Sequence, residues 1–365
     1  MSLYASVGPE LTHYDVDVEG AALTRRGTVG LPANVQYVWP HTSRRFLYVA
    51  TSDSASGMGQ QGNTHHVTAF GIGADGALNP HGPPIRLPTR PIHMATDVPS
   101  QYILVAFSNP SAIRVYRINA DATPGEEVAQ PGPIDPGIFA HQVRATPDNR
   151  LVILVTRGHD AATGKAEEPG ALKVFDFKDG VLSNEVSVAP DGGYGFGPRH
   201  LDFHPSKPWV FVSLERQSKL QVYQMTKDGS LGATPLFIKD SLAAGTPRGP
   251  RQAAGTLHMH PNGRFVYQAN RSGTAEGSEN SIAVYAINQQ TGEPTLIQSA
   301  DTHGTTPRTF ALDPSARVLV AGNQSGVANL ALFRIGNDGK LDFVRKYDVD
   351  TSTGSLFWMG IVPLP

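Results

Sequence analysis

The sequence predicts an all-β protein folded as a seven-bladed β-propeller, and three observations carry that prediction. One phrase, made of a polar lead-in, a turn and an apolar strand, occurs six times at intervals of about 50 to 60 residues. A third run of alternating polarity follows each copy after a loop, and the two chain ends supply the strands of a further unit. Repetition at this period, with three or four short strands per unit, is typical of a propeller.

Each copy of the phrase supplies two strands, and the run that follows supplies the third. The copies are NVQYVWPHTSRRFLYVAT from Asn34, RPIHMATDVPSQYILVAF from Arg90, FAHQVRATPDNRLVILVT from Phe139, GPRHLDFHPSKPWVFVSL from Gly197, GTLHMHPNGRFVYQAN from Gly255 and TPRTFALDPSARVLVAGN from Thr306. The third runs are HVTAFGI, IRVYRI, LKVFDF, LQVYQM, IAVYAI and NLALFRI.

The seventh blade is divided between the chain ends. SLFWMGIVP at residues 355–363 is one strand without a successor, whereas LYASV, LTHYDVD and LTRRGTV at the start are three strands without a predecessor. Together they make one four-stranded antiparallel blade, and 365 residues divided by seven give about 52 per blade. We therefore expect a single domain, residues 1–365, whose ring is closed by the N-terminal strands pairing with the C-terminal strand.

The composition restricts the class of function. A formal net charge of −2 without a basic cluster argues against nucleic acid as the main partner. The absence of cysteine excludes disulfides, thiolate nucleophiles and Cys-ligated metals. The chain has no apolar run of 18 residues and starts with MSLYASVG, so we expect a cytoplasmic protein without a membrane partner. Its oligomeric state is not indicated.

Long polar side chains follow the apolar second strand at equivalent points of several copies. Alignment on the turn prolines Pro147, Pro205, Pro261 and Pro314 places Arg157, Glu215, Arg271 and Gln324 there, with Asn109 if the second copy has one extra residue before its turn. Equivalent positions of a propeller lie on one rim, so these side chains are predicted to converge on a ligand site. For any single member, an ordinary surface ion pair is the alternative.

A second set of candidates lies on the innermost strands, which line the channel of a propeller. His93, His141 and His200 recur near the start of that strand, with Arg199 and Arg308 beside them. A histidine here could simply hydrogen-bond a neighbouring blade. Of the three, His141 is the best candidate for chemistry.

Three of the blades resemble a known family. GPRHLDFHPSKPWVFVSLERQSKLQVY, AAGTLHMHPNGRFVYQANRSG with SIAVYAI, and TPRTFALDPSARVLVAGNQSG resemble the seven-bladed β-propeller lactonase family. That family includes cycloisomerase-type 6-phosphogluconolactonase and the fungal 3-carboxy-cis,cis-muconate lactonizing enzyme. The resemblance implies that His141 is the channel histidine, that Arg199 and His200 belong to a Pro-Arg-His motif, and that Glu215 and Arg271 end their strands as acid and arginine.

Opening of a lactone needs an activated water, stabilisation of the oxyanion and a proton for the departing alkoxide. Glu215 or His141 could deprotonate the water, while Arg199 and Arg271 hold negative charge. We therefore expect hydrolysis of an anionic or sugar-derived lactone without a metal or other cofactor. The residues expected to bind the substrate are His93, Asn109, Arg157, His200, Arg308 and Gln324.

Two other functions remain open on the sequence. In a muconate-type lactonizing cycloisomerase the same arginines would bind carboxylates, and His or Glu would donate a proton to carbon. A non-catalytic interaction platform is the second, although the Trp-Asp and Kelch signatures of such propellers are absent. The segment SGTAEGSEN at 272–280 and the loop with Arg248 and Arg251 depart from the family, so the substrate is not inherited from the resemblance.

Overall fold

The computed structural model describes residues 1–55, 59–226, 229–249, 251–273 and 279–365. These residues form 29 strands and one short 3-10 turn, Pro190–Gly193. The strands make seven antiparallel sheets, which are numbered below as blades 1 to 7 in chain order. In the described part of the chain no helix is long and apolar enough to cross a bilayer.

The strands follow in the order of the blades. Blade 1 begins with β1 (Ser2–Val7), β2 (Glu10–Asp17) and β3 (Ala22–Gly30). Blade 2 has β4 (Asn34–Pro40), β5 (Phe46–Ser52), β6 (His65–Ile72), β7 (Leu78–Pro80) and β8 (Ile85–Arg86), and blade 3 has β9 (Pro91–Thr96), β10 (Tyr102–Ser108), β11 (Ser111–Ile118) and β12 (Pro124–Glu127). Blade 4 has β13 (Ala140–Ala145), β14 (Leu151–Thr156), β15 (Ala171–Lys178) and β16 (Val181–Val188).

The remaining blades repeat the pattern. Blade 5 has β17 (Pro198–Phe203), β18 (Trp209–Leu214), β19 (Lys219–Gln224) and β20 (Phe237–Asp240), and blade 6 has β21 (Ala253–Met259), β22 (Phe265–Arg271), β23 (Ser281–Ile287) and β24 (Pro294–Asp301). Blade 7 has β25 (Thr305–Leu312), β26 (Val318–Ser325), β27 (Asn329–Ile335) and β28 (Leu341–Asp348). The last strand, β29 (Leu356–Val362), is the inner strand of blade 1.

The two chain ends close the ring. β29 pairs antiparallel with β1, with Val362 opposite Ser2 and Gly360 opposite Tyr4. β29 also contacts the inner strands of its two neighbours, β25 and β4. The predicted seven-bladed propeller, with four-stranded antiparallel blades and this closure, is confirmed.

Blade 2 departs from the four-stranded pattern in its outer strand. Both β7 and β8 pair with β6, and the chain between them contains Pro83 and Pro84. Proline has no N–H to donate to a ladder, so an outer strand cannot run through these two residues without interruption. The outer edge of this blade is therefore made of two short pieces.

Neighbouring blades are joined by an apolar core and by buried tyrosine hydroxyls. Tyr4, Tyr48 and Tyr267 are each 0% exposed. Their hydroxyls donate to the carbonyls of Gly76 (2.7 Å), Ala122 (2.9 Å) and Gly339 (2.9 Å), which lie in the outer hairpins of the following blades. Because a buried hydroxyl without a partner is costly, each bond holds one blade in register with the next. These contacts make the ring a rigid frame for the channel.

Candidate active site

A β-bulge occurs at the same point of all seven inner strands. In β17, Pro198 pairs with Leu214 and His200 with Ser213, so that Arg199 between them has no partner in the ladder. A bulge redirects the side chain of the extra residue. The residues left out of the ladder in this way are Gln36, Ile92, His141, Arg199, Thr256 with Gly255, Arg308 and Phe357. All except Gly255 line one central cavity of about 290 Å³.

The carboxylate of Glu215 is the centre of a cluster of arginines. Arg271 Nη2 lies 2.9 Å from Glu215 Oε1, and Arg199 Nε lies 3.2 Å from Oε2. Arg157 Nε lies 3.4 Å from the same Oε2. The Glu215 side chain is only 14% exposed. Four of the predicted site residues therefore meet in one buried group, with Glu215 and Arg271 in direct contact.

Backbone contacts hold Glu215 between two blades. Its N–H donates to the carbonyl of Gly197 (2.9 Å), and its own carbonyl accepts the N–H of Ala254 (3.2 Å) from blade 6. Gly197 has a φ of +51°, and a Cβ there would lie 2.5 Å from Cγ of Arg216. Only glycine can adopt this φ and also leave room for Arg216 without strain. Gly197 therefore fixes the backbone position from which the Glu215 side chain extends.

The neighbouring arginines keep the carboxyl group of Glu215 ionised. Burial alone would raise the pKa of Glu215, but Arg271, Arg157 and Arg199 outweigh it and lower the pKa below its ordinary value. Burial, together with Arg271, lowers the pKa of Arg199 to about 9, so its guanidinium stays protonated at neutral pH. The cluster is thus an ionised carboxylate bound to cationic arginines.

His141 is a neutral imidazole in this environment. Burial lowers its pKa well below the ordinary value, and Arg199, Arg308 and Arg157 lower it further. Its Nδ1 is buried without a hydrogen-bond partner among the described residues. A neutral imidazole with a free nitrogen can accept a proton or bind a ligand.

The other two predicted histidines lie next to His141, first His200 and then His93. The rings of His141 and His200 are 5.4 Å apart, and those of His200 and His93 are 6.0 Å apart. His200 lines the cavity, whereas His93 is 0% exposed and packs 3.9 Å from the ring of Tyr37. His93 Nδ1 accepts the N–H of Val143 (3.4 Å), which is the blade-to-blade contact considered as the alternative for such a histidine.

Two arginines beside Phe357 have no carboxylate partner among the described residues: Arg308 lines the opposite side of this cavity, and Arg90 lines a separate small cavity. Arg308 Cζ lies 3.8 Å from the ring centre of Phe357, and Arg90 Cζ lies 5.9 Å from the same centre. Arg90 donates from Nε to Gln36 Oε1 (2.7 Å). We call Arg308, Phe357, Gln36 and Arg90 the Phe357 arc, from blades 7, 1, 2 and 3, and the group of Arg157, Arg199, Glu215 and Arg271, from blades 4 to 6, the Glu215 arc.

The sequence analysis did not identify three members of the Phe357 arc. Gln36 occupies the position of Arg199 in the first copy of the phrase, so the alignment contained its signal. Phe357 lies in the terminal strand, which was not aligned with the six copies. Arg90 directly precedes the first residue of β9, whereas the sequence analysis selected His93 from that strand.

Two residues predicted for the rim lie apart from the Glu215 arc. The carbonyl of Asn109 accepts bonds from Gln61 (3.2 Å) and Thr89 (3.2 Å), at a separate small cavity that Arg90 also lines. Gln324 lies inside β26, which continues to Ser325, and does not line the central cavity in the described part of the chain. Equal positions in the alignment therefore do not all reach the Glu215 arc.

Other expectations concern loops and metals. Arg248 and Arg251 are exposed. Within the 272–280 segment, residues 274–278 lie outside the described residues, so the expected remodelling of the rim there stays a prediction. Among the described residues, no group of three or more His, Asp and Glu side chains is arranged to hold a metal ion.

Comparison with known proteins identifies the family of this chain. The family model "Lactonase, 7-bladed beta-propeller" matches residues 2–357. The chain is 27% identical over 343 residues to the 6-phosphogluconolactonase of Bacillus subtilis (strain 168), covering 90% of this chain and 88% of that protein. It is 27% identical over 337 residues to the 6-phosphogluconolactonase of Cronobacter sakazakii, with the same two coverages.

Solved structures show the same fold. The periplasmic gluconolactonase of Pseudomonas aeruginosa matches with a TM-score of 0.79 and 21% identity, covering 100% of this chain and 99% of that one. The resemblance found in the sequence is confirmed, and with it the prediction of an enzyme of the lactonase class. The chain belongs to the seven-bladed β-propeller lactonase family.

Proposed function

We propose that this protein hydrolyses a sugar-derived or other anionic lactone in its central channel, without a metal. The observation that carries the proposal is the buried Glu215, paired with three arginines that also act on the neutral His141. The relatives named 6-phosphogluconolactonase support a sugar lactone as the substrate. A cytoplasmic location is part of the proposal on the sequence argument alone.

His141 is the general base rather than Glu215. Both oxygens of Glu215 are in ion pairs, and the arginines lower its pKa, so its carboxylate is a weak base. His141 is neutral, and its Nδ1 has no hydrogen-bond partner among the residues that the structure describes. An anionic lactone in the channel would oppose the effect of the arginines and move the pKa of His141 back towards neutrality, where a general base is most effective.

Arg199 and Arg271 stabilise the charge that develops on the lactone carbonyl. Arg199 Nη1 is buried and has no hydrogen-bond partner among the described residues, while Nε of the same guanidinium lies 3.2 Å from Glu215 Oε2 in an ion pair. A donor that is fixed before the reaction needs no reorganisation when the oxyanion forms. Glu215 is thus a positioning residue for the two arginines.

The reaction follows from these roles. His141 removes a proton from water as the water oxygen bonds to the carbonyl carbon, and the carbonyl oxygen becomes an oxyanion next to Arg199. The ring C–O bond then breaks, and the imidazolium of His141 returns its proton to the departing ring oxygen. The product acid loses its own proton to solvent, which leaves a hydroxy-carboxylate and the enzyme in its starting state.

The test is an assay of the wild type and the His141→Asn variant with 6-phosphogluconolactone, glucono-1,5-lactone and 3-carboxymuconate. We expect the wild type to open at least one of the two sugar lactones, with activity retained in chelator. The variant should lose about 10²-fold to 10⁴-fold in rate, the scale of a general base. The exposed Arg114→Gln, on the outer part of blade 3, is the control for handling and folding.

Three outcomes would contradict the proposal. Turnover of 3-carboxymuconate alone would assign the protein as a lactonizing cycloisomerase. Inactivity of the folded wild type on all three compounds would favour a non-catalytic platform. Loss of activity in chelator, restored by a divalent ion, would show that a metal is required.

A further inference from the structure

The two arginines of the Phe357 arc lie near one aromatic ring and have no ion-pair partner among the described residues. Their guanidinium carbons lie 3.8 and 5.9 Å from the centre of the Phe357 ring. In the part of the chain that the structure describes, no Asp or Glu oxygen lies within 4.0 Å of either guanidinium. The Glu215 arc differs, because there one carboxylate pairs with three arginines.

Burial makes this lack of a counterion costly. Arg90 is 6% exposed, and Gln36 accepts one of its five N–H donors. Gln36 is itself held in place, because its amide nitrogen donates to the carbonyl of Asn34 (3.1 Å). Burial lowers the pKa of Arg90 to about 10, and burial together with Arg199, Arg271 and Arg90 lowers the pKa of Arg308 well below its usual value. An anion bound between the two arginines would relieve both effects.

The arc is also continuous around the channel. Arg308, Phe357 and Gln36 are bulge residues of the consecutive inner strands β25, β29 and β4, and Arg90 directly precedes the next one, β9. Successive inner strands of this series contact one another. His141 and Arg199 belong to β13 and β17 on the other side. A ligand that spans the cavity can therefore contact Arg308 and Phe357 on one side and Arg199 on the other, while Arg90 lies beside Phe357 and lines the small separate cavity.

We propose that Arg90 and Arg308 bind a phosphate monoester carried by the substrate, at the end remote from the lactone carbonyl. Each guanidinium can donate two parallel N–H bonds to a phosphate, which is the geometry that favours arginine for this anion. Gln36 holds Arg90 in orientation, and both guanidinium groups lie near the ring of Phe357. The inference rests on the proposed function for the position of the carbonyl, but the anion site itself can be measured without turnover.

The direct test is calorimetric titration of inorganic phosphate into the wild type, Arg90→Gln, Arg308→Gln and the matched control Arg114→Gln. Arg114 is exposed and pairs with Glu127 outside the channel, so its loss removes one charge and no channel contact. We expect the phosphate Kd to rise at least about tenfold in each channel variant, since a charge-assisted pair is lost, and to stay unchanged in the control. Unaltered binding in the channel variants, or an equal loss in Arg114→Gln, would overturn the site.

A kinetic comparison ties the site to the substrate. 6-Phosphogluconolactone and glucono-1,5-lactone share a ring and differ in the phosphate. Arg90→Gln should raise KM for the phosphorylated lactone at least about tenfold and change kcat/KM for the other less than about threefold. Arg90→Lys, which keeps a charge, should recover part of the affinity and serves if the glutamine variant does not fold.

The outcomes separate the two proposals. Equal losses on both lactones would place Arg90 in ring opening and overturn the phosphate site. If the wild type opens neither lactone, the proposed function fails, whereas the phosphate titration still decides the anion site.

Discussion

The Glu215 arc and the Phe357 arc place arginines at equivalent points of the same channel and give them opposite partners. Arg199 and Arg308 are both bulge residues of their inner strands. Arg199 pairs with the carboxylate of Glu215, whereas Arg308 lies over the ring of Phe357. The repeat thus sets where an arginine lies on the channel. The neighbouring side chain determines whether the charge of that arginine is paired with a carboxylate of the protein.

Because of this difference, the two arcs are suited to different tasks. In the Glu215 arc the arginines are held in position before any ligand binds, which suits the stabilisation of a developing charge. In the Phe357 arc the arginines have no carboxylate partner within the described part of the chain, which suits the binding of an anion that arrives with the substrate. Under the two proposals above, a small anionic lactone would be bound on one side of the channel and opened on the other.

Removal of the carboxylate is the largest expected effect. Glu215→Gln keeps the shape of the side chain but removes the carboxylate that pairs with Arg199 and Arg271. Among the described residues Arg157 keeps only its ion pair with Asp160, so the three arginines repel one another and lose their orientation. We expect kcat/KM for the lactone to fall at least about 10²-fold. The control is Glu127→Gln, the same change in an exposed ion pair. Activity of Glu215→Gln within about threefold of that control would show that the arc does not depend on its carboxylate.

Addition of a carboxylate to the other arc tests the comparison from the opposite side. Gln36→Glu would place a charged oxygen next to Arg90, where the amide oxygen now lies at 2.7 Å. We expect the affinity for inorganic phosphate to fall about tenfold, while the protein remains folded, because the new carboxylate competes with the anion. Calorimetry measures this, with Gln290→Glu in an exposed turn as the control. Phosphate binding as tight as in the wild type would show that Arg90 does not belong to the anion site.

The smallest expected effect is on stability at acid pH. The pKa of Glu215 is lowered in the fold, so its ionisation contributes stability above the ordinary carboxyl pKa of about 4.3, and that contribution is lost as pH falls through the folded-state pKa. The free energy of unfolding should therefore fall more steeply below that pH in the wild type than in Glu215→Gln. The difference can reach about 1.4 kcal/mol per pH unit for one proton. Urea titrations from about pH 5 to 3 measure it, and parallel curves would contradict the lowered pKa.

The sequence predicted part of the site because the repeat carries positional information. Glu215 and Arg271 follow equivalent second strands, and the two side chains do meet, 56 positions apart in the chain. The same alignment also selected Asn109 and Gln324, which lie apart from the Glu215 arc, so an equivalent place after the second strand does not by itself bring a side chain into that arc. It omitted Gln36, although that residue corresponds to Arg199 in the first copy, and Phe357, which lies in the terminal strand outside the six copies. The bulge that turns both towards the channel is a feature of hydrogen-bond register.

The amino-acid sequence by itself determined the number of blades, the closure of the ring by its two ends and the family, because strand periodicity and turn residues are local and recur in every unit. Which arginine has a carboxylate and which has only an aromatic ring was decided by the tertiary structure alone. Those partners come from different blades, and the distances between them depend on the seven bulges and on how the blades pack around the channel.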